Sequence, residues 1–221
     1  MKARNLDDLE LRPAAPFAIQ GRVIMEVPEG EPAAQPPGVT LAFDAGAAGL
    51  ADKPAGAFLT GAPDAKGGFQ MRNVYPGPYQ ILPGPPPAGY YLDSIRMGGA
   101  DAIDSDVDIA PGGGPLNIIY RLGGGTVRGT VENCAAGTVR LLPRDKAMWR
   151  PGFLLFAPCD SNGRYEITAV RPGEYSVLAI AGDSPAPWYA TKWDDSLAGN
   201  ASTVTVRPGE TTTADLRAIR Q

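Results

Sequence analysis

Histidine is absent from all 221 residues. Its absence removes the commonest general base, the commonest proton switch near neutral pH and the commonest transition-metal ligand. It also rules out any serine–histidine–aspartate set. Cysteine is scarce. Cys134 and Cys159 are the only two, their spacing fits no zinc or redox motif, and no histidine is there to complete a metal site. They are either two buried thiols or one disulfide closing a loop of about 25 residues. Long apolar runs are missing as well, so no segment of this chain is read as a membrane-spanning helix. Basic excess is the last absence. Lys and Arg number 20 against 24 Asp and Glu, for a net charge of −4. The acidic surplus lies in residues 1–122, and residues 123–221 are close to neutral. Neither half can neutralise a row of phosphates, which argues against nucleic acid and acidic membrane surfaces as partners.

What is abundant is glycine (28) and proline (23). Both are costly inside helices, so their density predicts short strands joined by many turns. With 43% hydrophobic residues the chain can still bury a core. The predicted fold is all-β.

The chain repeats itself. Residues 67–81 and 163–177 align at a constant offset of 96. Gly67 matches Gly163, Phe69 matches Tyr165, and Val74 matches Val170. Pro76-Gly77 matches Pro172-Gly173, and Tyr79 matches Tyr175. Phe69 and Met71 alternate with Gln70 and Arg72 as a half-buried strand does. Pro76-Gly77 suits a tight turn, and Tyr79 and Ile81 resume the alternation on a second strand. Gly21-Arg22-Val23 and Gly129-Thr130-Val131 each open a copy, and Leu116 to Tyr120 and Thr212 to Leu216 each close one. The expected layout is a first domain at 14–122 and a second at 123–221, consistent with usual domain sizes. Gly123-Gly124-Gly125 marks the junction, as either a flexible hinge or a close-packed bend. Residues 1–13 have the rhythm of the closing strand of a preceding repeat, or form a linker. They lack the basic start and apolar run of a signal peptide. The chain is therefore either cytoplasmic or a piece of a longer secreted protein, and the repeats favour the second.

On these residues the chain resembles the carboxypeptidase regulatory-like family, a prealbumin-like sandwich grouped with starch-binding-like sandwiches. The Gly-Val opening strand, the Gly-aromatic strand, the Pro-Gly turn and the tyrosine that follows all occur twice. Tyr90 to Asp101 also resembles a segment that recurs in tandem modules of bacterial secreted and envelope proteins. The resemblance implies two tandem Ig-like or prealbumin-like β-sandwiches. It also implies a non-catalytic, extracytoplasmic accessory module with neighbouring domains of a longer chain as partners. It names no ligand or cofactor. A second resemblance, over Tyr79 to Tyr90, is to pilin and collagen-adhesin stalk domains. In those, a tyrosine leads to a catalytic glutamate that promotes a Lys–Asn isopeptide crosslink. Here Pro83 holds the glutamate position and Ile19 to Val27 contains no lysine, so no such crosslink is expected.

Three clusters invite a functional reading. Asp104, Asp106 and Asp108 alternate, with Asp101 nearby, and converging carboxylates would suit Ca²⁺. The EF-hand pattern fails, however, and a solvated strand face explains the same spacing. Trp188, Tyr189 and Trp193 crowd one segment beside Asp194 and Asp195. Exposed, they would stack on sugar rings. At the i, i+4, i+8 spacing of Tyr189, Trp193 and Leu197 they would instead pack one face of a short helix on the second sandwich. Pro83 to Pro87 leads to Tyr90 and Tyr91, a stiff loop whose tyrosines suit either recognition or burial. The functional expectation is a spacer or protein-interaction module. The alternatives are a carbohydrate-binding module, or an accessory region of a larger enzyme or outer-membrane transporter.

Overall fold

The computed structural model describes residues 14–30, 32–43, 58–103, 106–134, 137–150, 152–182 and 200–219. These residues form two β-sandwiches in tandem. The first contains β1 (Phe17–Glu26), β2 (Val39–Phe43), β3 (Phe58–Gly61), β4 (Gly68–Val74) and β5 (Gly77–Pro83). It continues with β6 (Tyr90–Met97), β7 (Ala100–Asp101), β8 (Val107–Ile109) and β9 (Leu116–Leu122). One layer has the order β4-β1-β9-β6-β7 and the other β3-β2-β5-β8. β1 lies antiparallel to β4, with Gly21 opposite Phe69, and parallel to β9, with Val23 opposite Ile118.

The second sandwich contains β10 (Gly125–Glu132), β11 (Thr138–Pro143), β12 (Leu155–Pro158), β13 (Arg164–Val170) and β14 (Gly173–Ile180). β15 (Ser202–Val206), β16 (Thr211–Thr213) and β17 (Leu216–Ile219) complete it. β10 pairs antiparallel with β13, with Gly129 opposite Tyr165, repeating the pairing of β1 with β4. β17 runs parallel to both β10 and β14, and so bridges the two layers. The short helix expected around Tyr189 to Leu197 falls in 183–199, outside the described residues. Among the described residues the helical element is a single 3₁₀ turn, Lys146–Met148.

Strand alternation builds each core. Val23, Leu41, Phe69, Tyr79, Ile118 and Tyr120 meet inside the first sandwich. Val127, Leu141, Tyr165, Ile167, Tyr175 and Val177 meet inside the second. Side chains one residue apart point to opposite faces, so each layer presents one apolar side to its partner layer. β14 departs from this. Its alternate residues Leu178 and Ile180 are also buried, and with Leu142 they form a small cluster on the opposite face of the sheet.

The glycine junction is a packed bend. The Gly123 and Gly124 N–H groups both donate to the Gly89 carbonyl, at 2.9 and 3.0 Å. A methyl group on Gly124 would lie 3.0 Å from Ala169 Cα and 3.3 Å from the Tyr90 carbonyl oxygen.

Candidate functional site

The repeated segment carries a repeated set of hydrogen bonds. Asp64 Oδ1 accepts from the N–H groups of Lys66 (2.8 Å) and Gly68 (2.9 Å). Asp160 Oδ1 does the same for Asn162 and Arg164, at 2.8 Å each. The turn that each aspartate closes presents a glycine carbonyl to the neighbouring strand. Val23 N–H donates to Gly67, and Val131 N–H donates to Gly163. Beyond the Pro-Gly turn, the Tyr79 hydroxyl donates to the Tyr75 carbonyl (3.0 Å) and the Tyr175 hydroxyl to the Arg171 carbonyl (2.7 Å). Burial raises the pKa of both phenols, that of Tyr175 to about 12. These polar groups close turns and corners.

The acidic cluster is dispersed. Asp101 Oδ1 accepts from the Ile103 N–H (3.0 Å), holding its own turn. Asp106 meets Arg150 of the second sandwich, with Nη1 to Oδ1 at 2.8 Å. Asp108 is exposed on β8, and Asp104 lies outside the described residues. Among the described residues no three His, Cys, Asp or Glu side chains converge on a point where a metal ion would sit.

The two adjacent tyrosines point opposite ways, as strand geometry requires. Tyr90 is buried in the first core, and its hydroxyl oxygen accepts from the Ala34 N–H at 3.3 Å. Tyr91 is half-buried on the other face of β6. Trp188, Tyr189 and Trp193 lie outside the described residues. Trp149 is held locally, its Nε1 donating to the Pro143 carbonyl at 2.7 Å.

One concavity lies at a strand edge of the second sandwich. A groove of about 730 Å³ runs between β13 and the end of β12, lined by Arg128, Thr130, Cys159, Arg164, Glu166 and Asp215, among others. Cys159 reaches across to Cys134 in a disulfide. The charges along the groove are of mixed sign, and Arg128 lies opposite Glu166 in register. Asp215 Oδ1 accepts from the Thr130 N–H (2.9 Å) and hydroxyl (2.8 Å), which hold its carboxyl below the usual carboxylate range. Tyr165 donates to the Ala214 carbonyl at 2.8 Å. Its phenol is pushed up to about 12 by burial, with the nearby Asp215 charge adding to the effect. Asp215 and Tyr165 are thus engaged by their own chain.

The contacts that sequence reasoning missed lie where the sandwiches meet. Phe153 comes from the connection between β11 and β12, yet it is 4% exposed and belongs to the first core. Met148 packs against the same core. The only sequence signal was an apolar residue inside a Pro-Gly turn region. Nothing in the periodicity indicated that its partners are in the other sandwich.

No family model matches this chain, and no curated protein is similar to it at a significant level. The similarity to the carboxypeptidase regulatory-like family therefore rests on the repeated residues alone. Several solved structures align loosely. The minor pilin GBS52 of Streptococcus agalactiae aligns over 90% of this chain and 94% of its own, at 12% identity and a TM-score of 0.36. The shaft pilin SpaA of Lactobacillus rhamnosus GG aligns over 93% and 98%, at 10% identity and a TM-score of 0.34. The Bacillus anthracis TIE protein aligns over 92% of this chain, at 12% identity and a TM-score of 0.32. This chain spans only 34% of that protein. Likeness at these scores assigns no role.

Proposed function

We propose that this chain is a non-catalytic, extracytoplasmic module of the carboxypeptidase regulatory-like kind. In this reading its two domains, 14–122 and 123–221, space and orient neighbouring domains and dock protein partners. The observation that carries the proposal is the bond between Cys134 and Cys159. Disulfides persist in oxidising compartments and are rare in the reducing cytosol. The described polar groups support a structural role, since Asp64, Asp160, Asp215, Tyr79 and Tyr175 are engaged by the backbone of their own chain. Phe58 on β3 and Phe156 on β12 are exposed on outermost strands of the described sheets. They are suitable anchors for a protein neighbour.

Two measurements test this. The first is labelling of intact cells of the source organism with a membrane-impermeant reagent, followed by free-thiol quantification in the isolated protein. Surface labelling with no free thiol is expected. A protected protein carrying two free thiols would overturn the extracytoplasmic assignment. The second is a polysaccharide array read by tryptophan fluorescence, where no saturable hit is expected. A saturable hit lost in Tyr91→Ala or Trp188→Ala would make the chain a carbohydrate-binding module instead.

A further inference from the structure

The second sandwich completes the core of the first. The connection between β11 and β12 is held as a preformed arm. The Ala147 N–H donates to Asp145 Oδ1 (3.0 Å), Trp149 Nε1 to the Pro143 carbonyl (2.7 Å) and the Phe153 N–H to the Arg150 carbonyl (3.1 Å). From this arm Phe153 and Met148 enter the apolar cluster built by β1 to β9. Gly152 adopts a φ of +91° at the point of entry, and a methyl group there would lie 3.2 Å from Leu92 Cδ2. Arg150 pairs with Asp106 beside the entry point at 2.8 Å, both side chains about one-third exposed (27% and 32%). Arg171, at the Pro-Gly corner of the second sandwich, reaches Met148 Sδ at 4.0 Å. A separate attachment is the glycine bend, where Gly123 and Gly124 donate to Gly89 and Gly209 donates to Gly123.

We propose that this arm welds the two repeats into one cooperative folding unit with a fixed mutual orientation, so that the first sandwich depends on the second for its own stability. One attachment alone would leave the sandwiches free to swing about the bend. A second, apolar attachment at the arm removes that freedom. Separating the two halves exposes Phe153 and leaves a void beside Leu92, a penalty that a flexible linker would not carry. This goes beyond the spacer reading and stands or falls independently of where the protein resides, because it concerns only the junction.

The experiment is residue-resolved hydrogen exchange on the full chain, with thermal unfolding alongside. Wild type is expected to unfold in one transition. Phe153→Ala is expected to lower the protection of the Leu92, Ile95 and Ile118 amides, all in the first sandwich, by at least about tenfold. Asp106→Arg is expected to lower the same amides to a smaller degree, and adding Arg150→Asp to restore them. The charge swap keeps the test decisive if Phe153→Ala does not fold. Two independent unfolding transitions in wild type would overturn the proposal. So would first-sandwich protection left unchanged by Phe153→Ala, or by Asp106→Arg where Phe153→Ala does not fold. A residue that only fills space within its own sandwich would not move amides in the other.

Discussion

Ala169 and Asn73 share one backbone conformation, a φ of 59° at matching places in the two repeats. Each is the penultimate residue of its strand, where the pairing of β4 with β1 and of β13 with β10 slips register. Asparagine tolerates the left-handed region, whereas alanine carries a Cβ clash worth about 1–2 kcal/mol. Ala169 is therefore a strained residue held by its surroundings. Ala169→Gly removes the clash, partly offset by the greater freedom of glycine in the unfolded chain. A net gain of about 0.5–1 kcal/mol is expected, read as a higher urea midpoint with an unchanged slope. An unchanged or lower midpoint would show that Ala169 is not under strain.

Gly67 and Gly163 are irreplaceable for a different reason. Their φ values are +81° and +73°, and the space around them is filled by backbone. A Cβ on Gly67 would meet the Val23 carbonyl oxygen, and one on Gly163 would lie 2.6 Å from that of Val131. These carbonyls belong to β1 and β10, so no side-chain rotation relieves the clash. Gly67→Ala and Gly163→Ala should each cost at least about 1–3 kcal/mol, with the larger loss at Gly67. Differential scanning calorimetry on the two variants would show this as lowered Tm values. A Tm unchanged in both would mean that the turn can move aside.

Much of the fold was legible because its signals are local. Phe69 and Met71 alternate with polar neighbours, Pro76-Gly77 turns the chain, and the offset of 96 shows the unit twice. The extra burial of Leu178 and Ile180 was not legible. A strand buried on both faces reads as a plain apolar run, and its second partner is not encoded in the strand itself. The junction was harder still. Asp106 and Arg150 are 44 residues apart, and Phe153 leaves a connection of the second sandwich to join the core of the first. The acidic spacing around Asp106 suggested a cation, whereas the charge that meets this carboxylate is Arg150. A side chain's own spacing cannot reveal an arginine brought in by another module.

The buried tyrosines set the alkaline limit of stability. Burial raises the Tyr165 and Tyr175 phenols to about 12, whereas in the unfolded chain they ionise near 10. Below pH 10 both states keep the proton and the contribution to stability is complete. As pH rises from 10 to 12 the unfolded chain loses protons that the folded chain retains, and stability falls. The loss should approach about 1.4 kcal/mol per pH unit for each tyrosine. Urea unfolding between pH 9 and 12 should show a flat region followed by this decline. Tyr175→Phe should reduce the alkaline slope. It should also lower stability at pH 7 by about 1 kcal/mol, through loss of the bond to the Arg171 carbonyl. An alkaline slope unaltered by Tyr175→Phe would remove Tyr175 as a source of the pH dependence.

The disulfide should act mainly on the unfolded chain. It ties residues 25 apart, linking the chain just after β10 to the chain just after β12. The folded positions of those strands are already fixed by other contacts, with β10 paired to β13 and β12 to β11. Removing the bond leaves these ladders in place and restores conformational freedom to the unfolded loop, worth about 3 kcal/mol in the chain-entropy model. Cys134→Ser combined with Cys159→Ser should therefore fold to the same structure with a urea midpoint lower by that amount. Reducing the wild-type chain should give the same shift. If reduction has no effect while the double variant is destabilised, the loss comes from placing a serine hydroxyl in the buried Cys134 site. Cys134→Ala would then recover it. If neither treatment moves the midpoint, the unfolded loop is already constrained without its bond.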